Sequence, residues 1–383
     1  MQQLDKKLIK IGESLQVSPN PMLLIQKSMG SGKLSKEDFL LLLECNHNLV
    51  SNDVINQCIE KEIITVDDLE TCGIDSDFID LLNEDKPVDP AQGTDYQQIE
   101  SIAPGSTEVY FWGMPGSGKS CALGAVLSIA NNGGDKMMQH PCQGGDYMTR
   151  LSNVFRHDGD YTFLPAGTDI KNTYEMRFSI IRDQKEHPLS LIDFSGELFR
   201  CLYKQHTNIV LNDDEKPALV TLTNLLKEHA SENRKIHFFV VEYGAENQKM
   251  DDGLLQGDYL QRAAEHLNHI GVFDQYTDAV YIVLTKADKA GEFDSREDED
   301  KHYLNYMSKN YSGFYRALKH MCEKHSINGG KLEFIPFSIG EVCFQRFCCF
   351  DSASAREILD YIVQRSFYVK RDFFGRIIRV LSN

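Results

Sequence analysis

The chain contains no uninterrupted apolar run approaching ~20 residues, so no helical membrane span is expected. Its opening stretch, MQQLDKKLIKIGESLQ, lacks the apolar core and small-residue cleavage site of a secretory signal, and a cytoplasmic location is expected. None of the ten cysteines forms a CxxC pair, and only Cys348 and Cys349 are adjacent. That spacing suits neither a zinc site nor a disulfide framework and leaves reduced thiols as the simplest reading. Positive charge is scarce: 57 acids face 40 lysines and arginines, the net charge is −17, and no arginine precedes Arg150. Such a balance argues against a broad electrostatic grip on nucleic acid or an anionic membrane. What remains is an ordinary globular composition, 42% hydrophobic and 25% charged, in a 383-residue chain that suits one small and one large domain.

Residues 1–85 read as short helices. In LSKEDFLLLLEC, Ser35 is followed three positions later by Asp38, a capping-box start; ITVDDLETCG repeats the device with Thr65 and Asp68, and Gly73 stops the helix. The two stretches align at an offset of thirty residues, Leu34 on Ile64, Ser35 on Thr65, Asp38 on Asp68 and Phe39 on Leu69, which suggests a tandem helical unit. Between Asp53 and Asp89 twelve acids face two lysines, either a solvated face or a docking surface for a basic protein partner. NEDKPVDPAQGTD then breaks all periodicity. The expected division is an all-helical adaptor over 1–85, a linker over 86–104, an α/β domain over 105–365 and a tail over 366–383. The tail interleaves Lys370, Arg371, Arg376 and Arg379 with Phe367, Phe373, Phe374, Ile377 and Ile378. It is expected to pack on its own domain, and any membrane contact would run through it alone.

The tetrapeptide GSGK occurs twice. In TEVYFWGMPGSGKSCALGAVLSIA it sits between a strand and a helix, and the loop from Gly113 through Pro115, Gly116, Ser117, Gly118, Lys119 and Ser120 spells a complete GxxxxGK[ST], with Cys121 following. Glycines let backbone N–H groups curl onto phosphate oxygens at the positive end of a helix, the lysine reaches the outer phosphates, and the Ser120 hydroxyl is placed to ligate Mg²⁺. The earlier copy, Gly30–Lys33, has Lys27 where the first glycine belongs and Leu34 where the hydroxyl belongs. It reads as a turn between helices.

Downstream, EMRFSIIRDQKEHPLSLIDFSGE reads as a two-stranded hairpin, Met176–Arg182 and Leu189–Asp193, ending in Asp193-Phe-Ser-Gly196. DAVYIVLTKADKA is a buried strand ending in Thr285-Lys286-Ala-Asp288. A carboxylate at Asp288 accepts both the ring N–H and the exocyclic amine of guanine, a donor pair that adenine lacks. In this order the motifs resemble those of the Ras-like, TRAFAC class of P-loop GTPases. The resemblance implies a three-layer α/β fold with an antiparallel edge hairpin, GTP or GDP as ligand, and Mg²⁺. It implies that Asp193 holds Mg²⁺ through water, that the Gly196 N–H senses the γ-phosphate, that Thr285, Lys286 and Asp288 read the base, and that Ser338 and Ile339 close over it through backbone N–H groups. A switch threonine is required as a further Mg²⁺ ligand; LPAGTDIKNTYEM offers Thr168, preferred because it follows a glycine, and Thr173.

Lys119, Thr168 and Glu197 are the candidate catalytic residues. Glu197 stands where many members carry glutamine, which puts fast hydrolysis in doubt; a simple helix-start role is the alternative. Arg150, Arg156 and Arg177 are candidates for an in-chain arginine finger, with structural roles favoured. Long intervals mark an expanded domain that resembles bacterial double-GTPase-like proteins with helical adaptors. The expected function is a nucleotide-controlled switch for a protein partner. The alternatives are a self-assembling mechanochemical GTPase with nucleotide-dependent oligomers, and a nucleotide-binding scaffold with little turnover.

Overall fold

A computed structural model describes residues 5–82, 84, 89–92, 99, 101–168, 172–228, 230–250, 252–371 and 377–379. The chain forms two compact units. One comprises 1–87, 157–164 and 339–351, the other 88–156, 165–338 and 352–383.

Among the described residues the first unit carries six helices: α1 (Lys6–Val17), α2 (Pro21–Gly30), α3 (Lys36–Cys45), α4 (Asn52–Glu60), α5 (Val66–Thr71) and α6 (Ser76–Leu81). Reciprocal capping boxes start both α3 and α5, at Ser35/Asp38 and Thr65/Asp68. The turns before them match as well. Lys33 N–H bonds Ser28 O at 2.8 Å and Ile63 N–H bonds Cys58 O at 2.9 Å, with Gly32 and Glu62 both left-handed at φ 67° and 56°. Leu34 and Ile64, Ile25 and Ile55, and Phe39 and Leu69 are all buried at equivalent places. The thirty-residue offset is therefore a structural repeat, and the first GSGK is its inter-helix turn.

This unit is not helical throughout. Strands β3 (Tyr161–Phe163), β9 (Gly340–Cys343) and β10 (Phe347–Phe350), numbered along the whole chain, form an antiparallel sheet with β10 central. Cys343, Phe344 and Phe347 join the helical core, and Asn52 N–H bonds Phe344 O at 3.0 Å. Sequence placed these short segments in the α/β domain, because they lie far from the helices along the chain.

The second unit is an α/β sheet with flanking helices. Its elements begin β1 (Thr107–Gly113), α7 (Lys119–Asn132), β2 (Lys136–Gln139), α8 (Gly145–Ser152), β4 (Thr173–Arg182), β5 (Lys185–Phe194), α9 (Leu198–His206), α10 (Glu215–Thr223) and β6 (Lys235–Glu242). They continue with α11 (Gln256–His269), β7 (Thr277–Thr285), α12 (Arg296–Asn310), α13 (Ser312–His325), β8 (Glu333–Phe337), α14 (Ala353–Arg365), β11 (Val369–Arg371) and β12 (Ile377–Arg379). Strands β5, β1, β6, β7 and β8 run parallel in that spatial order, and β4 pairs antiparallel with β5 from Thr173↔Phe194 to Arg182↔Lys185. The hairpin closes through Asp183 and Gln184, both at positive φ, as a two-residue turn needs to match strand twist. It is not the sheet edge, because β2 pairs outside β4.

The chain's end joins this sheet: β11 pairs antiparallel with the start of β5, and β12 pairs with β11. Phe373, Phe374 and Arg376 of the expected tail lie outside the described residues. Ile99 and Ile102, placed in the linker by sequence, are buried in the core with Tyr110, Trp112 and Phe194. Among the described residues no helix is long and apolar enough to cross a membrane.

Candidate functional site

Strand β1 is buried along its whole length and delivers the chain into the loop Met114–Gly118, after which α7 begins at Lys119. Two left-handed glycines make the curl, Gly116 at φ 75° and Gly118 at φ 84°. A Cβ on Gly113 would stand 2.6 Å from Ser117 Oγ and 3.0 Å from Val240 O, so the loop's first position accepts no side chain. The N-terminus of α7 behind the loop offers unpaired N–H groups and a partial positive charge.

The other two motifs lock onto this loop. Gly196 lies so close that an added Cβ would stand 2.5 Å from Pro115 N and 2.8 Å from Met114 C. From the opposite side, Thr285 Oγ1 donates to Ser117 O at 2.7 Å, and its methyl lies 3.2 Å from where a Gly118 Cβ would be. β7 carries Thr285 as its last residue. Lys286 then turns left-handed, at φ 56° and ψ 35°, and the exposed Asp288 follows in a short 3-10 turn. Lys286 Nζ pairs with Glu242 Oε1 at 2.5 Å, at the end of neighbouring β6.

Asp193, at the end of β5, is the centre of the polar network. Its side chain is 0% exposed, and its Oδ1 pairs with Lys119 Nζ, itself only 6% exposed. Asp193 Oδ2 accepts from Thr168 Oγ1 at 3.1 Å and from Tyr147 OH at 2.9 Å. Thr168 is held in turn through its carbonyl, which accepts from Ser195 Oγ at 2.9 Å. Thr173 instead opens β4, opposite Phe194, and its carbonyl takes Gln143 Nε2 at 3.2 Å. Tyr147, on α8, has no sequence signature and went unnoticed. Burial first, and Asp193 second, push its hydroxyl well above the usual tyrosine range, so it stays a donor.

The remaining predicted residues separate. Ser120 follows Lys119 on α7 and is half-buried. Burial pushes the half-buried Cys121 thiol up to about 12, which makes it a poor nucleophile. Glu197 directly precedes α9 without a side-chain capping bond and pairs with Arg200 at 3.3 Å, half-exposed. Ser338 N–H, expected to face a base, donates to Ser354 Oγ at 3.2 Å. Ile339 is buried within the first unit, its carbonyl accepting from Asp351 N–H at 3.0 Å. Of the three arginines, Arg177 binds Glu175 at 2.8 Å, Arg156 binds Asn153 O at 3.3 Å, and Arg150 binds Gln92 O.

Among the described residues no three His, Cys, Asp or Glu side chains gather into a metal cage. The donors near the loop, the Asp193 carboxylate and the Ser120 and Thr168 hydroxyls, are all oxygen. Mg²⁺ is held by such a set, through one or two carboxylates together with ligand phosphates and water, so the residues fit it.

No family profile and no curated protein matches the chain. Among solved structures, Roco2 RocCORdC of Methanosarcina barkeri bound to GDP aligns over 73% of this chain and 55% of its own, at 11% identity and TM-score 0.28. The signal recognition particle receptor SRb-GTP/SRX complex from Chaetomium thermophilum aligns over 69% of this chain and 100% of its own, at 17% identity and TM-score 0.34. The ADP ribosylation factor-like GTP-binding protein/small COPII coat GTPase SAR1 from Encephalitozoon cuniculi in complex with GDP aligns over 68% and 82%, at 9% and 0.25. At these TM-scores nothing is drawn from the likeness, and function rests on the chain's own residues.

Proposed function

We propose that the chain is a Mg²⁺-dependent guanine-nucleotide-binding protein that serves as a switch for a protein partner. The carrying observation is the convergence of three motifs on one loop: Gly196 against the backbone of Pro115, and Thr285 bonded to Ser117 O. A phosphate cradle and a base-reading carboxylate are thereby held within one rigid frame. Lys119 leaves Asp193 for the outer phosphates, and the loop N–H groups take the inner ones. Ser120, Thr168 and Asp193 would hold Mg²⁺, which supplies charge neutralisation between the phosphates. Asp288 selects guanine through two accepted hydrogen bonds.

Loss of the γ-phosphate frees Thr168 and Gly196, the order–disorder step of a nucleotide switch. Thr168 follows closely on the β3 segment that belongs to the helical unit, so the chain itself connects the switch threonine to a candidate partner-binding unit. Its excess of acids suits a basic partner surface. The expected compartment is the cytoplasm.

An Asp288→Asn substitution tests the base assignment. The variant should lose GDP and gain xanthosine diphosphate, because the amide NH2 meets guanine's exocyclic amine, donor against donor, but can donate to the oxygen that xanthine carries there. Unchanged GDP affinity would sink the reading. A second reading, a nucleotide-binding scaffold with little turnover, is favoured by Glu197, whose carboxylate is engaged by Arg200. Phosphate release that stays at the buffer level with a native partner present would decide for it.

A further inference from the structure

The long stretch between Ser120 and Asp193 holds a helix, α8, which reaches Asp193 through the Tyr147 hydroxyl. Among the described residues the Asp193 carboxylate has three donors, and the guanine-nucleotide reading, on which this inference rests, assigns two of them elsewhere. Lys119 goes to the phosphates, and Thr168 goes to Mg²⁺ while the γ-phosphate is present and is released in its absence. A carboxylate that is 0% exposed would then keep one protein donor of the three, Tyr147 OH at 2.9 Å.

That hydroxyl is fixed from every side. The Tyr147 ring stacks on Tyr174 with centroids 3.9 Å apart and planes 9° apart, and Tyr174 lies opposite Asp193 in the β4–β5 ladder. At the front of α8, Gly144 N–H bonds Glu175 O at 2.9 Å, and a Cβ there would stand 2.7 Å from the same oxygen. Gln143 clamps β4 twice more, accepting from Glu175 N–H at 3.1 Å and donating to Thr173 O at 3.2 Å. Behind, Gly124 of α7 makes room for α8: an added Cβ would lie 3.1 Å from both Leu151 and Phe155. The helix that begins at Lys119 and Ser120 therefore also seats the helix that carries Tyr147.

We infer that Tyr147 is a positioning residue that holds the Asp193 carboxylate in the orientation needed for Mg²⁺ once Lys119 and Thr168 have left it. One oxygen, Oδ2, is pinned by the phenol, which leaves Oδ1 to face the metal's water. Such outer partners of a metal-binding carboxylate set metal affinity by ~10–100-fold.

The test uses the full chain, wild type and Tyr147→Phe, which keeps the stacked ring and removes the hydroxyl. GDP retention is measured against free Mg²⁺, and GDP affinity of each protein is measured separately in EDTA. In Tyr147→Phe the Mg²⁺ midpoint should rise about tenfold or more, in excess of any change in EDTA. Tyr147→Leu, which removes the ring as well, should show the same Mg²⁺ shift with a lower melting temperature. A Tyr147→Phe midpoint within twofold of wild type overturns the inference, as does an equal loss of GDP in EDTA and in Mg²⁺. Wild-type protein that retains no GDP at any Mg²⁺ concentration overturns the guanine-nucleotide reading itself, and this inference with it.

Discussion

Replacing Lys119 with alanine strands a carboxylate in the core. Asp193 is 0% exposed and its cation 6% exposed, so neither charge has solvent to fall back on. Deleting one member of a buried pair costs about 3–5 kcal/mol, because the survivor remains charged and desolvated. Asp193 keeps two neutral donors, Tyr147 and Thr168, and the cost should fall near the low end, about 3 kcal/mol. That is a large share of a typical domain stability of about 5–15 kcal/mol. Urea unfolding in EDTA, without nucleotide, reads it separately from ligand binding. Trp112 is the only tryptophan and is buried in the second unit, so its fluorescence follows that unit alone. The double variant Lys119→Met/Asp193→Asn removes both charges of the pair and should recover to within about 1 kcal/mol of wild type. A Lys119→Ala protein within about 0.5 kcal/mol of wild type, or a double variant no better than the single, would refute the buried-pair account.

Three further outcomes follow from particular contacts. Gly196→Ala places a Cβ against backbone atoms of Pro115 and Met114, which cannot rotate away; such overpacking costs about 1–3 kcal/mol. Urea unfolding of Gly196→Ala without nucleotide should read a loss in that range, and a stability within about 0.5 kcal/mol of wild type would contradict the close approach. Lys33→Ala, in the inter-helix turn, should leave GDP affinity unchanged. The third outcome concerns pH: burial holds the His187 imidazole down at about 4 against an ordinary 6.5. A depressed histidine stabilises the fold above 6.5, and that contribution is lost as pH falls from 6.5 towards 4, where the unfolded chain binds the extra proton. His187→Asn should flatten the stability–pH slope in that window by up to about 1.4 kcal/mol per pH unit, read by denaturant unfolding.

The parts that were legible in the sequence are those whose chemistry is local. A glycine-rich loop between a strand and a helix, a strand ending in TKAD, and paired capping boxes each carry their signal within a few residues. Tyr147 carries none: it matters because α8 is seated by Gly124 and clamped by Gln143, contacts that link distant stretches. The β3–β10–β9 sheet was hidden for the same reason, since its strands are four residues or fewer and β3 pairs with β10 across about half of the chain. Strand β2 reads as a polar connector, KMMQ, and only its pairing outside β4 shows that the hairpin is not an edge. Linker chemistry misled in one place, because the prolines and acids near residue 90 masked Ile99 and Ile102, which belong to the core.

The central claim is that this loop binds guanine nucleotides in preference to adenine nucleotides, and Trp112 tests it most directly. Its indole N–H donates to His237 Nδ1 at 3.0 Å, and its ring stacks 5.1 Å from Phe194, the residue after Asp193. Rearrangement at Asp193 on ligand binding should therefore alter its emission. Titration in Mg²⁺ with GDP, GTP and ATP should give saturable changes for both guanine nucleotides and roughly 100-fold weaker binding, or none, for ATP, whose base offers Asp288 no donor pair. ATP binding as tight as that of GTP would contradict the account.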